Sequence, residues 1–189
     1  LKRLLMAHGF RTRPYCSAKE FLEQRASAPA VGCMLLDVNM PGLSGLELQA
    51  ELQMLGMKLP IVFITGHGTV PMGVQAMKQG AVDFLQKPFD SPTILNIIRK
   101  AIERSRQKYA EESECLDLEQ RFESLSARER EVFRLVVKGL LNKQIACELG
   151  VVEKTIKVHR ERVMGKMKAN YMAELVTMTE MLRLHPCSS

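Results

Sequence analysis

At 189 residues the chain is long for one small domain and comfortable for two. Its 46% hydrophobic content argues against disorder over the whole length, and no apolar run approaches the length of a membrane span. The net charge of +6 is too small to assign a partner by itself, but it is concentrated in residues 124–189, which carry 12 Lys and Arg against 7 Asp and Glu.

Leu1, Leu4 and Leu5 open the chain inside a helical pattern. A short strand is predicted at 10–15. Ser17 and Glu20 have the spacing of a capping box, opening a helix through Gln24. Residues 33–36 are uniformly apolar, as a strand covered on both faces should be. A helix over 44–55, a buried strand over 60–64, a helix over 70–79 ended by Gly80 and a third apolar strand over 82–85 follow. Beyond Pro88, where a cis bond is plausible chemistry, a long helix starts near Ser91 and runs towards Tyr109. Strands alternating with helices argue for an α/β domain with a doubly wound parallel sheet over residues 1–103. Such a sheet calls for a strand ahead of the opening helix, so about 15–20 further residues are expected upstream of Leu1.

Residues 104–123 are polar, mixed in charge and free of Gly and Pro, and are expected to form a helical linker. Only helices are predicted after it, so residues 124–189 form a separate all-α domain of four helices. Ser126 and Glu129 start a helix reaching Lys138, ahead of Gly139. A short helix over 142–149 is closed by Gly150, and longer helices cover 153–167 and 171–184. The five cysteines (Cys16, Cys33, Cys115, Cys147 and Cys187) are odd in number and never in Cys-x-x-Cys spacing. They are read as free thiols of a cytoplasmic protein rather than a disulfide or zinc framework.

In an open α/β sheet, ligands bind beyond the carboxyl ends of the strands. Asp37, Thr65 and Lys87 stand at three successive strand ends. Singly, each has an ordinary reading as a turn, cap or surface residue. Together, a carboxylate, a hydroxyl and an ammonium suit a phosphorylated aspartate. Asp37 would attack phosphorus, Thr65 would donate to a phosphoryl oxygen, and Lys87 would pair with its charge. A hard divalent ion, Mg²⁺, would bridge the oxygens.

Leu-Leu-Asp37-Val-Asn-Met-Pro-Gly, Ile-Val-Phe-Ile-Thr65-Gly-His-Gly and Asp-Phe84-Leu-Gln-Lys87-Pro-Phe together resemble the receiver domain of response regulators, of the FixJ type. That resemblance implies a flavodoxin-like fold with strand order 2-1-3-4-5. It further implies Asp37 as phosphoacceptor, Asn39 as donor of a backbone carbonyl to the metal, and Phe84 as the aromatic whose rotamer reports the state. The family's metal site also uses an acidic pair at the end of a first strand, which is expected upstream of Leu1. No role follows for His67.

Residues 121–184 resemble the helix-turn-helix output domain of the LuxR and NarL group. The match is carried by Leu-Ser-Ala-Arg-Glu-Arg-Glu-Val, Gly-Leu-Leu-Asn-Lys-Gln-Ile-Ala and Glu-Lys-Thr-Ile-Lys-Val-His-Arg. At 100° per residue, Ile156, Val163 and Met167 form one buried stripe of the recognition helix. Lys154, Val158 and Glu161 lie opposite, flanked by Lys157 and Arg162, so the front can enter a major groove. Thr155 belongs to the same helix start. Asn142 and Lys143 begin the supporting helix, where phosphate can be held. Val152 occupies the position where the family more often has a Ser cap.

The reading is a two-component regulator, not an enzyme. A sensor histidine kinase phosphorylates it, it then dimerises, and it binds double-stranded DNA in concert with RNA polymerase, with no membrane partner. A constitutive DNA-binding regulator with a degenerate receiver is the alternative. A phosphohydrolase using Asp37 as nucleophile fits less well, since no acid/base pair accompanies it.

Overall fold

The computed structural model describes residues 1–25, 28 and 30–184. Two compact units divide between Tyr109 and Ala110. The first contains α1 (Lys2–Ala7), α2 (Ala18–Glu23), β1 (Met34–Asp37), α3 (Gly45–Met54), β2 (Ile61–Thr65), α4 (Val70–Lys78) and β3 (Asp83–Gln86). Helix α5 (Ser91–Glu123) begins in the first unit and ends in the second, where α6 (Ala127–Val137), α7 (Asn142–Leu149), α8 (Glu153–Met167) and α9 (Met172–Leu184) follow.

The three strands are parallel in the order β1-β2-β3. Central strand β2 is buried at every residue, as its unbroken apolar run requires. Side chains alternate between two cores. Leu36, Ile61 and Phe63 pack with Phe21 of α2, Leu48 and Leu52 of α3 and Ala76 of α4. Ile64 packs on the opposite face with Leu5 of α1 and Ile94, Leu95 and Ile98 of α5, joined by Leu35 and Leu85. Helices on both faces of a parallel sheet make the doubly wound architecture expected for this part of the chain.

Each strand begins and ends one residue later than its apolar run suggests. Pro60 lacks an N–H and contributes only its carbonyl, which accepts from Met34 N–H at 2.8 Å. At the other end the ladder continues through Asp37, opposite Ile64, and Thr65, opposite Gln86. The Asp37 carboxylate and Thr65 hydroxyl therefore stand on hydrogen-bonded strand residues rather than in the loops beyond.

The strand expected at 10–15 is absent: these residues are irregular. Pro14 removes a donor, and no described strand runs alongside to pair with the segment. Its aromatic end is secured instead by side chains, with the Tyr15 and Phe21 rings edge-on at 5.1 Å. Ser17 caps α2 as expected, accepting from Glu20 N–H at 3.2 Å, but the Glu20 carboxylate reaches one residue further back, to Cys16 N–H. The boxes at Ser44 with Glu47 and at Ser126 with Glu129 are complete.

Residues 104–123 are helical throughout, and their last turns also build a core. Leu118 is 4% exposed and joins Val132, Phe133, Ile145, Ile156, Val163 and Met167, with Phe122 packed at the edge. Cys16, Cys33, Cys115 and Cys147 form no disulfide, and burial pushes Cys33 up to about 11. Cys187 lies outside the described residues. No described helix is long and apolar enough to cross a membrane.

Candidate functional site

Parallel pairing brings the first set of residues together. The Lys87 ammonium donates to Asp37 Oδ2 at 3.1 Å across 50 residues of sequence. The other carboxylate oxygen, Oδ1, accepts from Asn39 N–H at 3.1 Å. Asp37 is thus held from both sides while remaining partly open to solvent. Thr65 is fully buried; its hydroxyl accepts from His67 N–H at 3.2 Å, which leaves the hydroxyl proton free to donate. The Lys87 N–H donates to Thr65 carbonyl at 2.8 Å, tying the two strand ends together. Lys87-Pro88 is the one cis peptide recorded among the described residues.

Two glycines shape this end of the sheet. Gly45 opens α3 so close to β1 that a Cβ there would lie 2.3 Å from the Asp37 carbonyl oxygen. Only a residue without a side chain lets α3 start beside the acidic site, with Gly45 N–H donating to Val38 carbonyl at 3.0 Å. At Gly68 a Cβ would meet the Phe84 ring and Thr65 Cγ2, each at 2.7 Å. The half-buried Phe84 ring therefore occupies a slot floored by Gly68, with Gly73 of α4 also beneath it. These glycines escaped the sequence reading. Gly45 directly after a capping serine was a usable signal for close approach, whereas nothing local distinguished Gly68.

The donor set suits a hard divalent cation in kind, since Asp37 has a carboxylate oxygen and Asn39 a backbone carbonyl to offer. Among the described residues no cluster of three His, Cys, Asp or Glu side chains gathers around them. Mg²⁺ commonly takes one or two carboxylates and completes its shell with water and phosphate oxygens. The residues present fit part of such a shell.

The second set lies on α7 and α8. Ile156, Val163 and Met167 are fully buried, the stripe expected from helical periodicity. Lys154, Lys157, Val158, Glu161 and Arg162 are exposed, and Thr155 is half-buried. Gly150, at φ 64°, turns the chain between the two helices, and Val151 N–H returns to the Ala146 carbonyl at 3.0 Å. Val152 caps α8 without a side-chain hydrogen bond; a tight turn from Thr155 N–H to its carbonyl, 2.9 Å, begins the helix instead. Lys143 is exposed at the start of α7. Asn142 is not simply open, because its Oδ1 accepts from Arg160 Nη1 at 3.0 Å.

The far end of α8 is anchored by charge. Lys166 donates to Glu129 Oε2 at 2.7 Å and to the Ser124 carbonyl at 2.9 Å. Glu129 is 4% exposed, and the Lys166 ammonium, with help from Ser126 N–H, holds its carboxyl down to about 2. Arg121 Nη1 donates to the Met167 carbonyl at 3.4 Å, answering the helix's C-terminal dipole. Neither Arg160 nor the Glu129–Lys166 pair was singled out from sequence, because 18 and 37 residues separate the partners.

Comparison with known proteins bears on both sets. Residues 1–99 match the response regulator receiver domain, and residues 123–179 match the luxR family of bacterial regulatory proteins. Nodulation protein W of Bradyrhizobium diazoefficiens is 46% identical over 96% of this chain and 80% of its own length. The transcriptional regulatory protein FixJ of Rhizobium meliloti is 44% identical over 93% of this chain and 85% of its own. The low-resolution structure of response regulator StyR superimposes with a TM-score of 0.86 at 42% identity, covering 95% of this chain and 90% of that one. Full-length FixJ from B. japonicum gives 0.56 at 39% identity, covering 97% and 90%.

Proposed function

This chain belongs to the FixJ-type response regulators, two-component transcriptional regulators with a LuxR-type DNA-binding domain, and from that premise we propose that Asp37 is its phosphoacceptor. DNA and a sensor kinase are the partners that family membership implies. The observation that carries the assignment is the pairing of Asp37 with Lys87 beside buried Thr65.

The Asp37 carboxylate attacks the phosphorus of the kinase's phosphohistidine; an O–P bond forms and the N–P bond breaks, leaving the histidine. Lys87 then follows the phosphoryl oxygens as a charge-assisted donor, and the Thr65 hydroxyl donates to another. Asp37 and Asn39 would hold Mg²⁺, which would supply neutralising charge at those oxygens. Phe84 reports the change from its slot over Gly68. Val70, Val74 and Met77 of α4 are 81%, 48% and 46% exposed, an apolar strip beside this slot that favours dimerisation through α4, β3 and the start of α5. The dimer then places two copies of α8 on double-stranded DNA, where Asn142, Lys143, Lys154, Thr155, Lys157, Val158, Glu161 and Arg162 make the contacts and RNA polymerase responds. The protein acts in the cytoplasm and is not an enzyme in its own right. The sequence-derived limits of 1–103, 104–123 and 124–189 remain our proposal for its functional segments.

Wild type and Asp37→Asn incubated with acetyl phosphate and Mg²⁺ test the assignment. Only wild type should gain the mass of one phosphoryl group and show a raised dimer fraction in sedimentation. Equal labelling of both proteins refutes it. An unlabelled wild type that nevertheless binds DNA would favour the phosphorylation-independent reading.

A further inference from the structure

Arg160 stands out because a cation on α8 makes its hydrogen bonds to the neighbouring helices α7 and α9. The side chain is half-buried. Nη1 donates to Asn142 Oδ1 at 3.0 Å, and Nη2 lies 3.8 Å from the Met172 sulfur at the start of α9. One guanidinium thereby spans three helices. Its neighbours Asn142, Lys157, Glu161, Met164 and Asn170 line an open cleft with it.

A guanidinium has donors and no acceptor, so the Asn142 amide can present only its oxygen to Arg160. The amide NH₂ is consequently directed away from the arginine. It begins α7 beside the exposed ammonium of Lys143. The Leu141 N–H is already satisfied by Gln144 Oε1 at 2.8 Å, and the Leu141 carbonyl already accepts from the Gln144 and Ile145 N–H groups at 2.9 and 3.0 Å, so neither is left for the Asn142 amide. An amide of fixed sense next to an ammonium presents donors, which match a phosphate oxygen and mismatch a cation.

We propose that Arg160 is a positioning residue for DNA binding: it does not touch the nucleic acid but sets the Asn142 amide with its donor end towards a backbone phosphate. It also holds the start of α7 at a fixed distance from the reading face of α8. This rests on the reading of α7 and α8 as the DNA-binding helices. It deepens that reading by separating a residue that orients a phosphate contact from those that make one.

Full-length protein, with duplex selected by wild type from a randomised library, provides the test. Arg160→Ala and Asn142→Ala should each weaken binding by about tenfold, the loss of one hydrogen bond to a charged group. The double variant should be no weaker than either single one, because both remove the same contact. Binding by Arg160→Ala should keep the wild-type salt slope, since no phosphate loses a cation. Lys143→Ala should lower that slope by about one unit. Asn142→Asp guards against a folding artefact. It retains a partner for Arg160 and should melt no lower than wild type, yet it places carboxylate oxygen near phosphate and should bind more weakly than Asn142→Ala. Additive losses, a slope reduced by about one in Arg160→Ala, or wild-type binding by Asn142→Asp would each overturn the positioning role. If wild type selects no sequence, the DNA-binding reading fails and this proposal fails with it.

Discussion

Gly68 and Gly73 both face the Phe84 ring, at separations that set their tolerance of a methyl group apart. At residue 68 the methyl would sit 2.7 Å from ring carbon and from Thr65 Cγ2, closer than atoms can pack. At residue 73 it would sit 3.5 Å away, an ordinary contact within a helix. Gly68→Ala should therefore cost about 1–3 kcal/mol through overpacking and displace the ring. Gly73→Ala should gain about 0.5–1 kcal/mol from helix propensity. Urea midpoints of the two variants check this, and a Gly68→Ala protein as stable as wild type would mean the slot is not closed. On the DNA side the distinction is between reading and holding. Exposed Lys157, on the front of α8, can donate to guanine O6 and N7, so Lys157→Ala should cost about 1–3 kcal/mol at one base pair and relax preference there. Lys143→Ala should weaken every sequence alike. Selection from a randomised duplex library separates the two; an unchanged sequence preference in Lys157→Ala would mean α8 is not docked by this face.

Helix α8 gains little from its own N-terminus, where Val152 provides no cap, and is secured by what grips its other end. Lys166 and Glu129 tie it to the capping box of α6, and Arg121 meets the carbonyl of its last residue, Met167. The Glu129 carboxyl is held down to about 2 from an ordinary value of 4.5, so this contribution is fully present above pH 4.5 and is lost as pH falls towards 2. The stability of the second unit should accordingly fall across that window, and Glu129→Gln should flatten the fall. Thermal melts of both proteins from pH 6 to pH 2 measure it. Parallel decline in the two would show that other carboxylates carry the acid sensitivity. The same chemistry explains why capping boxes were readable in advance and this pair was not. A box joins residues three apart, within one turn, while Glu129 and Lys166 meet only after α8 has packed on α6.

Across the whole chain, the division between Tyr109 and Ala110 falls inside α5 rather than between elements. Leu118 and the edge-on Phe122–Phe133 pair at 5.3 Å place the last turns of α5 in the second core. Arg130 also stacks over Phe122 and donates to the Glu123 carbonyl. A fragment beginning at residue 110 should therefore fold with a higher melting temperature than one beginning at residue 124. The latter forfeits Leu118, whose full burial is worth about 1.5–3 kcal/mol, together with the partly buried Phe122. Equal melting temperatures would show that α6 to α9 suffice alone. The polar composition of 104–123 made it readable as a helix outside the domains, because six scattered apolar residues in twenty do not announce a core contact until the partner surface exists.

Elements whose cause lies within a few residues were legible in the sequence. The apolar runs of β1 to β3, the serine caps of α2 and α6, the Gly150 turn and the buried stripe of α8 all follow from local sterics and periodicity. The strand-end placement of Asp37, Thr65 and Lys87 was legible too, because parallel strands put their carboxyl ends on one edge. Tertiary structure decided what depends on a neighbour distant in sequence. It left residues 10–15 out of the sheet, with no strand beside them among the described residues, and it carried the ladder one residue further to Asp37 and Thr65. It gave Gly45 and Gly68 their purpose, and it turned Arg160 onto Asn142 and Lys166 onto Glu129. Hydrogen bonds and close contacts between such residues exist only once packing has brought them within about 3 Å, and no local pattern encodes that distance.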